Sequence, residues 1–124
     1  MRSFKAACLQ VNSSNDLMAN CEAAARLAVE ARAAGAELIL MPENVAMMEW
    51  GRSNIVLKAM PEDGHLALSF FRDLAREIGA WLHIGSLHVL VGDGMVANRT
   101  FVIRPDGAIA AKYDKILARF KSEE

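Results

Sequence analysis

Hydrophobic and polar positions alternate in blocks along the chain, and these blocks predict the order of its secondary structure. Short apolar runs at 4–11 and 37–41 are typical of buried strands. Between them lies a segment from about Asp16 to Ala34 in which apolar residues recur at helical spacing: Leu17, Cys21, Ala24 and Ala28. This segment predicts a helix, which begins where Ser13 and Asp16 have the spacing of a capping box and ends at Gly35.

The second half of the chain predicts one more helix and a β-meander. A helix is expected over 65–78, where four apolar residues fall on one face: Leu66, Phe70, Leu74 and Ile78. Strands are expected over 81–91, 95–103 and 108–115, separated by turn sequences at 92–94 and 105–107. Within the middle strand, alternation places Val96, Asn98, Thr100 and Val102 on one face. Residues 44–64 are less regular and indicate a loop with room for one short helix.

This order of elements predicts an α/β fold. Two buried strands joined by a helix of such length form a parallel pair, and the meander adds antiparallel strands. We therefore expect a mixed sheet with both helices on one face. The length of 124 residues, with 53% hydrophobic residues, suits one small domain or a part of a larger one.

Charge and composition exclude several classes of protein. The 14 Lys and Arg residues nearly balance 15 Asp and Glu residues, so no basic face for nucleic acid is indicated. No apolar run is long enough to cross a bilayer, and the N-terminus lacks the pattern of a signal peptide. We expect no nucleic-acid or membrane partner and a cytoplasmic location, where Cys8 and Cys21 remain thiols. Both cysteines suit small core residues.

Two charged residues lie where strands are predicted to end, which is where ligands gather in open α/β sheets. Glu43 directly follows the strand at 37–41 and would serve there as a general base. A helix cap or a solvated loop acid is the alternative. Lys115 ends the last predicted strand and would stabilise an oxyanion, although an exposed surface lysine is the simpler interpretation of that position alone. For a shared site, the two side chains must converge where two neighbouring strands finish.

Several stretches together resemble the nitrilase, or carbon–nitrogen hydrolase, superfamily. They are Lys5–Val11, Gly35–Asn44, Gly85–Ser86, Asn98–Thr100, Pro105–Gly107 and Lys112–Ile116. The strongest signal is Pro-Glu after the second strand combined with Tyr-x-Lys after the meander. The resemblance covers residues 4 to 116 and is closest to the amidase branch that cleaves ω-amides and deaminated glutathione.

The resemblance implies a mechanism and a fold. Glu43 matches the family's general base and Lys115 its oxyanion-stabilising lysine. In that family a cysteine attacks the amide or nitrile carbon of a small carboxylic acid derivative, and no metal or organic cofactor is required. The family fold is a four-layer α-β-β-α sandwich, of which this chain would be the first half.

The sequence also departs from the family pattern. The nucleophilic cysteine follows the lysine by a few dozen residues in the family, and the 124 residues include no cysteine there. We expect a partial hydrolase domain at 1–116, a divergent tail at 117–124 and no turnover by this chain alone. The uncovered sheet would favour homo-oligomers or association. A non-catalytic module that pairs with a full-length homologue is the alternative. An unrelated doubly wound α/β binding domain ranks last, because it needs a glycine-rich phosphate loop after the first strand and residues 11–15 contain no glycine.

The residues that follow Glu43 have more than one interpretation each. Asn44 would orient Glu43 in a substrate site or simply structure the loop. Met47, Met48 and Trp50 would wall a substrate pocket, pack in the core or cover a helix.

The histidines do not indicate a metal site. His65, His83 and His88 lack the grouping of metal ligands, so core or surface positions are expected for them. His83 and His88 are five residues apart on one predicted strand, and alternation therefore places them on opposite faces.

Overall fold

The computed structural model describes residues 2–116 and the backbone of 120–121. Its elements in chain order are β1 (Ala6–Cys8), α1 (Leu17–Ala33), β2 (Leu38–Leu40), α2 (Arg52–Lys58), α3 (Leu66–Ile78), β3 (Trp81–Leu90), β4 (Met95–Ile103), β5 (Ile109–Asp114) and β6 (Phe120–Lys121). The predicted order is confirmed, with β1 and β2 shorter than expected. The divergent tail predicted at 117–124 lies outside the described residues, apart from the backbone at 120–121.

The strands form one mixed sheet in the order β1-β2-β3-β4-β5. β1, β2 and β3 are parallel, whereas β4 is antiparallel to both β3 and β5. β6 pairs with the start of β4, beside β5 along the same edge. The mixed α/β sheet predicted from the element order is therefore confirmed, and β2 and β5 run in the same direction.

α1 and α3 pack against each other and against one face of this sheet. The buried side chains of α1 are Asn20, Cys21, Ala24 and Ala28, which confirms the predicted stripe. In α3 the buried set is Ala67, Leu68, Phe71, Leu74 and Ala75, whereas Leu66 is 56% exposed. The predicted buried face of α3 was therefore wrong, since it is rotated by part of a turn from the observed one. Phe70 and Phe71 are adjacent, and each belongs to a set of apolar residues at helical spacing.

The N-terminus of α1 also differs from the prediction. Asp16 itself caps the helix, since its carboxylate accepts from the backbone N–H of Ala19 at 3.1 Å. Ser13 instead donates its hydroxyl to the carbonyl of Val45 at 2.8 Å. The polar cluster before α1 therefore anchors the segment after β2 rather than forming a capping box.

A β-bulge in β3 changes which residues share a face of the sheet. The pairing with β4 shifts by one residue between Ile84 and Leu87, so β3 carries one extra residue there. His83 pairs with Val102 and His88 with Asn98, and both partners lie on one face of β4. The prediction that His83 and His88 point to opposite faces was wrong, because simple alternation fails across a bulge.

The face of the sheet opposite α1 and α3 is termed the open face. By strand register it carries Ala6, Cys8, Leu38, Leu40, Trp81, His83, Val102 and Tyr113. Cys8 is exposed on it, so the prediction of Cys8 as a core residue was wrong. Trp81 is 41% and Tyr113 60% exposed. No helix in the described part of the chain is both long and apolar enough to pass through a membrane.

Candidate active site

Glu43 and Lys115 meet although 72 positions separate them in the sequence. Lys115 Nζ lies 3.3 Å from Glu43 Oε1. Glu43 follows the carboxyl end of β2, and Lys115 follows the carboxyl end of β5. The side chains remain 51% and 59% exposed, so this acid and this amine are accessible to a substrate or to another polypeptide segment.

The two strands that carry this pair are not neighbours, contrary to the expectation from the sequence. β3 and β4 lie between β2 and β5, and strands spaced by about 4.8 Å place β2 and β5 about 14 Å apart. The chain after β2 therefore has to cross β3 before Glu43 can approach Lys115. Because β2 and β5 run in the same direction, their carboxyl ends lie at the same end of the sheet, and the two side chains can meet there.

Gly85 is the point at which this crossing occurs. A Cβ atom on Gly85 would lie 2.3 Å from the carbonyl carbon of Pro42 and 2.4 Å from the carbonyl oxygen of Met41. Gly85 does not have a positive φ, so its requirement is for space and not for backbone conformation. The absent side chain lets the Met41–Pro42 backbone lie directly on β3.

Hydrogen bonds then fix the segment at this crossing. Ser86 Oγ accepts from the backbone N–H of Asn44 at 2.9 Å, and Thr100 Oγ1 donates to the carbonyl of Gly85 at 2.7 Å. Asn44 has a φ of 54°, a left-handed conformation that asparagine tolerates better than most residues. The contacts of Asn44 favour its loop-structuring interpretation, and its role in substrate binding stays a prediction.

Asn98 links both members of the pair, a role that the sequence did not reveal. Its Nδ2 donates to Glu43 Oε1 at 3.0 Å and lies 3.5 Å from Asn44 Oδ1. Its backbone carbonyl accepts from the N–H of Lys115 at 3.0 Å. Asn98 is 7% exposed. A polar residue at a buried strand position was the available signal, but alternation alone does not identify its partner.

An ion-pair cluster fixes the end of β5 just before Lys115. Arg99 binds both carboxylate oxygens of Asp114, with Nη2 3.0 Å from Oδ2, and its Nη1 lies 3.1 Å from Glu62. Lys112 adds a contact to Glu62 at 3.0 Å. The hydrogen bonds to Asp114 raise the pKa of Arg99. The cluster therefore fastens β5 to β4 and to the loop before α3.

Two histidines, His65 and His88, line a small cavity together with Asn44, the residue that follows Glu43. His65 caps α3 by accepting from the N–H of Leu68 at 3.4 Å, and its Nε2 lies 2.9 Å from the carbonyl of His88. Burial lowers the pKa of both His65 and His88. These histidines, with Asn44 and Ser86, line a cavity of about 20 Å³, which is large enough for one water molecule.

The predicted pocket walls and the two cysteines differ in their exposure. Met48 and Trp50 are 50% and 88% exposed, which excludes core packing for these two, whereas Met47 lines the small cavity. Burial raises the pKa of Cys21 to about 12, so its thiol is unreactive. Within residues 2–116, neither cysteine sulfur is hydrogen-bonded to Glu43 or Lys115. The same residues contain no group of three or more His, Cys, Asp or Glu side chains arranged to hold a metal ion.

Comparison with known proteins identifies relatives of this fold and sequence. The family model described as carbon-nitrogen hydrolase matches residues 5–121. The nitrilase and fragile histidine triad fusion protein NitFhit of Caenorhabditis elegans is 30% identical over 93% of this chain and 26% of that protein. Deaminated glutathione amidase of Rattus norvegicus is 30% identical over 86% of this chain and 33% of that protein.

Among solved structures, the chain is similar to amidases of the same fold. The amidase of Nesterenkonia sp. AN1, as a cysteine-to-alanine mutant in complex with butyramide, matches with a TM-score of 0.79 and 25% identity over 94% of this chain and 47% of that one. Another structure of that amidase shows the Michael addition of acrylamide at its active-site cysteine. The present chain spans about a third or less of the curated relatives it matches. The chain belongs to the carbon–nitrogen hydrolase family.

Proposed function

We propose that this chain is the N-terminal part of a hydrolase that cleaves the C–N bond of a small non-peptide amide. Glu43 is the general base and Lys115 stabilises the oxyanion. The observation that carries the proposal is the 3.3 Å contact between Lys115 Nζ and Glu43 Oε1 at one end of the sheet. In a carbon–nitrogen hydrolase, a carboxylate and an ammonium at this distance can serve the same reacting carbon.

The reaction needs a nucleophilic thiol, and we propose that it comes from outside these 124 residues, because Cys21 is buried with a raised pKa and Cys8 lies on β1. In the proposed mechanism, Glu43 takes the proton of that thiol as sulfur attacks the amide carbon. The Lys115 ammonium stabilises the negative oxygen of the tetrahedral intermediate. Glu43 gives this proton to the departing ammonia as the C–N bond breaks. A water molecule then attacks the acyl-thioester and gives a proton to Glu43, which passes it to the sulfur as the C–S bond breaks and the carboxylic acid leaves.

The substrate class is proposed from the relatives. The amidase of Nesterenkonia binds butyramide, and the rat relative is a deaminated glutathione amidase. Both names point to an amide of a small acid, and we extend that class to the protein that contains this chain. The proposed mechanism uses no metal or organic cofactor, and amide-versus-nitrile preference is part of the same test.

Ammonia release tests this proposal. We expect none above buffer from butyramide or butyronitrile with the 124-residue chain alone. We expect release when the part of the Nesterenkonia amidase that this chain does not match is fused to it. Glu43→Gln in the fusion should abolish the release. If the chain alone releases ammonia and Glu43→Ala abolishes that release, the proposal that the nucleophilic thiol comes from outside the chain is contradicted.

The open face supports a second candidate, a non-catalytic module that pairs with a full-length homologue or with itself. Exposed apolar side chains such as Trp81 and Tyr113 favour association. Co-purification of tagged chain with a full-length relative, and no ammonia release from the fusion, would favour this candidate. The domain boundary at 116 and the cytoplasmic location stay predictions, for limited proteolysis and cell fractionation to test.

A further inference from the structure

We propose that Asn98 is a positioning residue that holds the proposed base and the proposed oxyanion group in register. The inference rests on the proposed function of Glu43 and Lys115 and adds to it the group that fixes their geometry. Asn98 acts on both residues, through its side-chain amide on one and its backbone carbonyl on the other. Its proposed effect on the reaction is through these two residues.

The ion pair between Glu43 and Lys115 is too exposed to fix the two side chains by its own interaction energy. Both side chains are more than half exposed, and ion pairs between exposed groups contribute little because water screens them and flexible side chains lose entropy. Asn98, by contrast, is 7% exposed and sits on a central strand of the sheet. A donor on such a rigid element is what can restrict the Glu43 carboxylate to one orientation.

The orientation of the Asn98 amide is determined by charge. Its Nδ2 faces Glu43 Oε1 and Asn44 Oδ1, which are both acceptors. Rotating the amide by half a turn would bring Oδ1 against the carboxylate, where two acceptors repel. In the present orientation Oδ1 is buried without a hydrogen-bond partner. An unsatisfied buried acceptor is unfavourable, so the donation to Glu43 is maintained at a cost in stability.

The backbone of Asn98 supplies the second constraint. Its carbonyl accepts from the N–H of Lys115 at 3.0 Å, just after the last residue of β5. The start of the Lys115 side chain is thereby fixed relative to the same residue that orients Glu43. A shift of Asn98 would therefore displace both charged groups together.

Zero-length carbodiimide cross-linking of the whole chain tests this inference. The reagent joins a carboxylate to an amine only where they touch, and peptide mass spectrometry quantifies each link. Glu43–Lys115 is the reporting pair. Glu62–Lys112, at 3.0 Å, is an internal control for an intact fold. Mixing of isotope-labelled and unlabelled chains separates links within one chain from links between chains.

We expect Asn98→Ala to lower the yield of the Glu43–Lys115 link about tenfold, which corresponds to the loss of one hydrogen bond to a charged group. The Glu62–Lys112 link should stay unchanged. Asn98→Asp keeps the side-chain volume but removes the donor, so the Glu43–Lys115 link should fall and a link from the new carboxylate at position 98 to Lys115 should replace it. Val102→Ala, on the same face of β4, should preserve both native links.

Two results would overturn the inference. One is a Glu43–Lys115 yield that Asn98→Asp leaves at the wild-type level, since shape and not donation would then position Glu43. The other is an equal fall of both links in Asn98→Ala and Asn98→Asp, which would make Asn98 a residue of general stability. Neither result depends on turnover, so an inactive fusion protein would refute the proposed function but would leave standing the role of Asn98 in holding Glu43 against Lys115.

Discussion

Replacement of Gly85 by alanine is the sharpest test of how the chain brings Glu43 to Lys115. The added Cβ would lie 2.3 Å from Pro42 and 2.4 Å from the carbonyl oxygen of Met41, roughly 1 Å closer than an ordinary van der Waals contact. The crowded atoms belong to backbone, so they cannot rotate away as a flexible side chain would. The segment that carries Glu43 must therefore lift off β3.

The magnitude follows from the type of crowding. Overpacking of a well-packed interior costs about 1–3 kcal/mol, and we expect the upper part of this range because backbone has to move. The urea midpoint, followed by far-ultraviolet circular dichroism, should fall accordingly. A lift of about 1 Å would also separate Lys115 Nζ from Glu43 Oε1, so the carbodiimide link between them should be lost.

Gly64→Ala is the matched control. No atom lies within 4 Å of the position of its Cβ, but Gly64 has a φ of 83°. Its cost of about 1 kcal/mol should therefore arise from backbone strain alone, and the Glu43–Lys115 link should survive. If Gly85→Ala unfolds at the wild-type urea concentration and keeps that link, the proposed crossing over β3 is refuted.

Four further outcomes are expected. Burial lowers the pKa of His65 in the folded chain from the ordinary value of 6.5, so the unfolded chain binds a proton at this histidine more readily. The urea midpoint should therefore be constant well above pH 6.5 and should decrease as the pH falls below 6.5. This decrease should be smaller in His65→Asn. Arg99→Met removes the bidentate contact to Asp114 in a site where the two side chains are 16% and 21% exposed, which should lower the free energy of unfolding by about 2 kcal/mol in urea titrations. Light scattering should show the isolated chain as an oligomer, because the open face is apolar, and a compact monomer would count against this expectation. In an active fusion, Lys115→Met should lower kcat by a factor of about 100 or more, and an unchanged kcat would remove Lys115 from the mechanism.

The sequence predicted the order of the elements because that order depends on local periodicity. The predicted apolar stripe of α1 includes Cys21, Ala24 and Ala28, and all three are fully buried. α3 carries Phe70 and Phe71 side by side, so periodicity alone allowed two faces, and the wrong one was chosen. Packing against α1 and the sheet decides between them.

The bulge in β3 was not predictable from alternation. An extra residue between Ile84 and Leu87 leaves the apolar pattern of the strand nearly intact, since Ile84, Leu87 and Val89 are all buried. The consequence is large, because His83 and His88 come to share a face. The shift is seen only in the pairing of β3 with β4, and the sequence of β3 alone does not contain that information.

The charged pair was predicted, whereas its support was not. Glu43 and Lys115 were found because each follows a strand and because the surrounding residues resemble a known family. Asn98, Ser86 and Gly85 were visible only as members of matching stretches. Their roles depend on contacts across 42 to 55 positions of sequence, which neither spacing nor composition encodes.

The contact between Glu43 and Lys115 is built by strands that carry neither residue. β3 contributes the flat backbone at Gly85, and β4 contributes Asn98, so the pair forms only if both central strands are in register. Gly85 itself belongs to the bulge, which lies between the paired residues Ile84 and Leu87, and removing the extra residue would reverse the faces on one side of it. The register of β3 against β4 is therefore a condition of the proposed chemistry, and not only of the stability of the sheet.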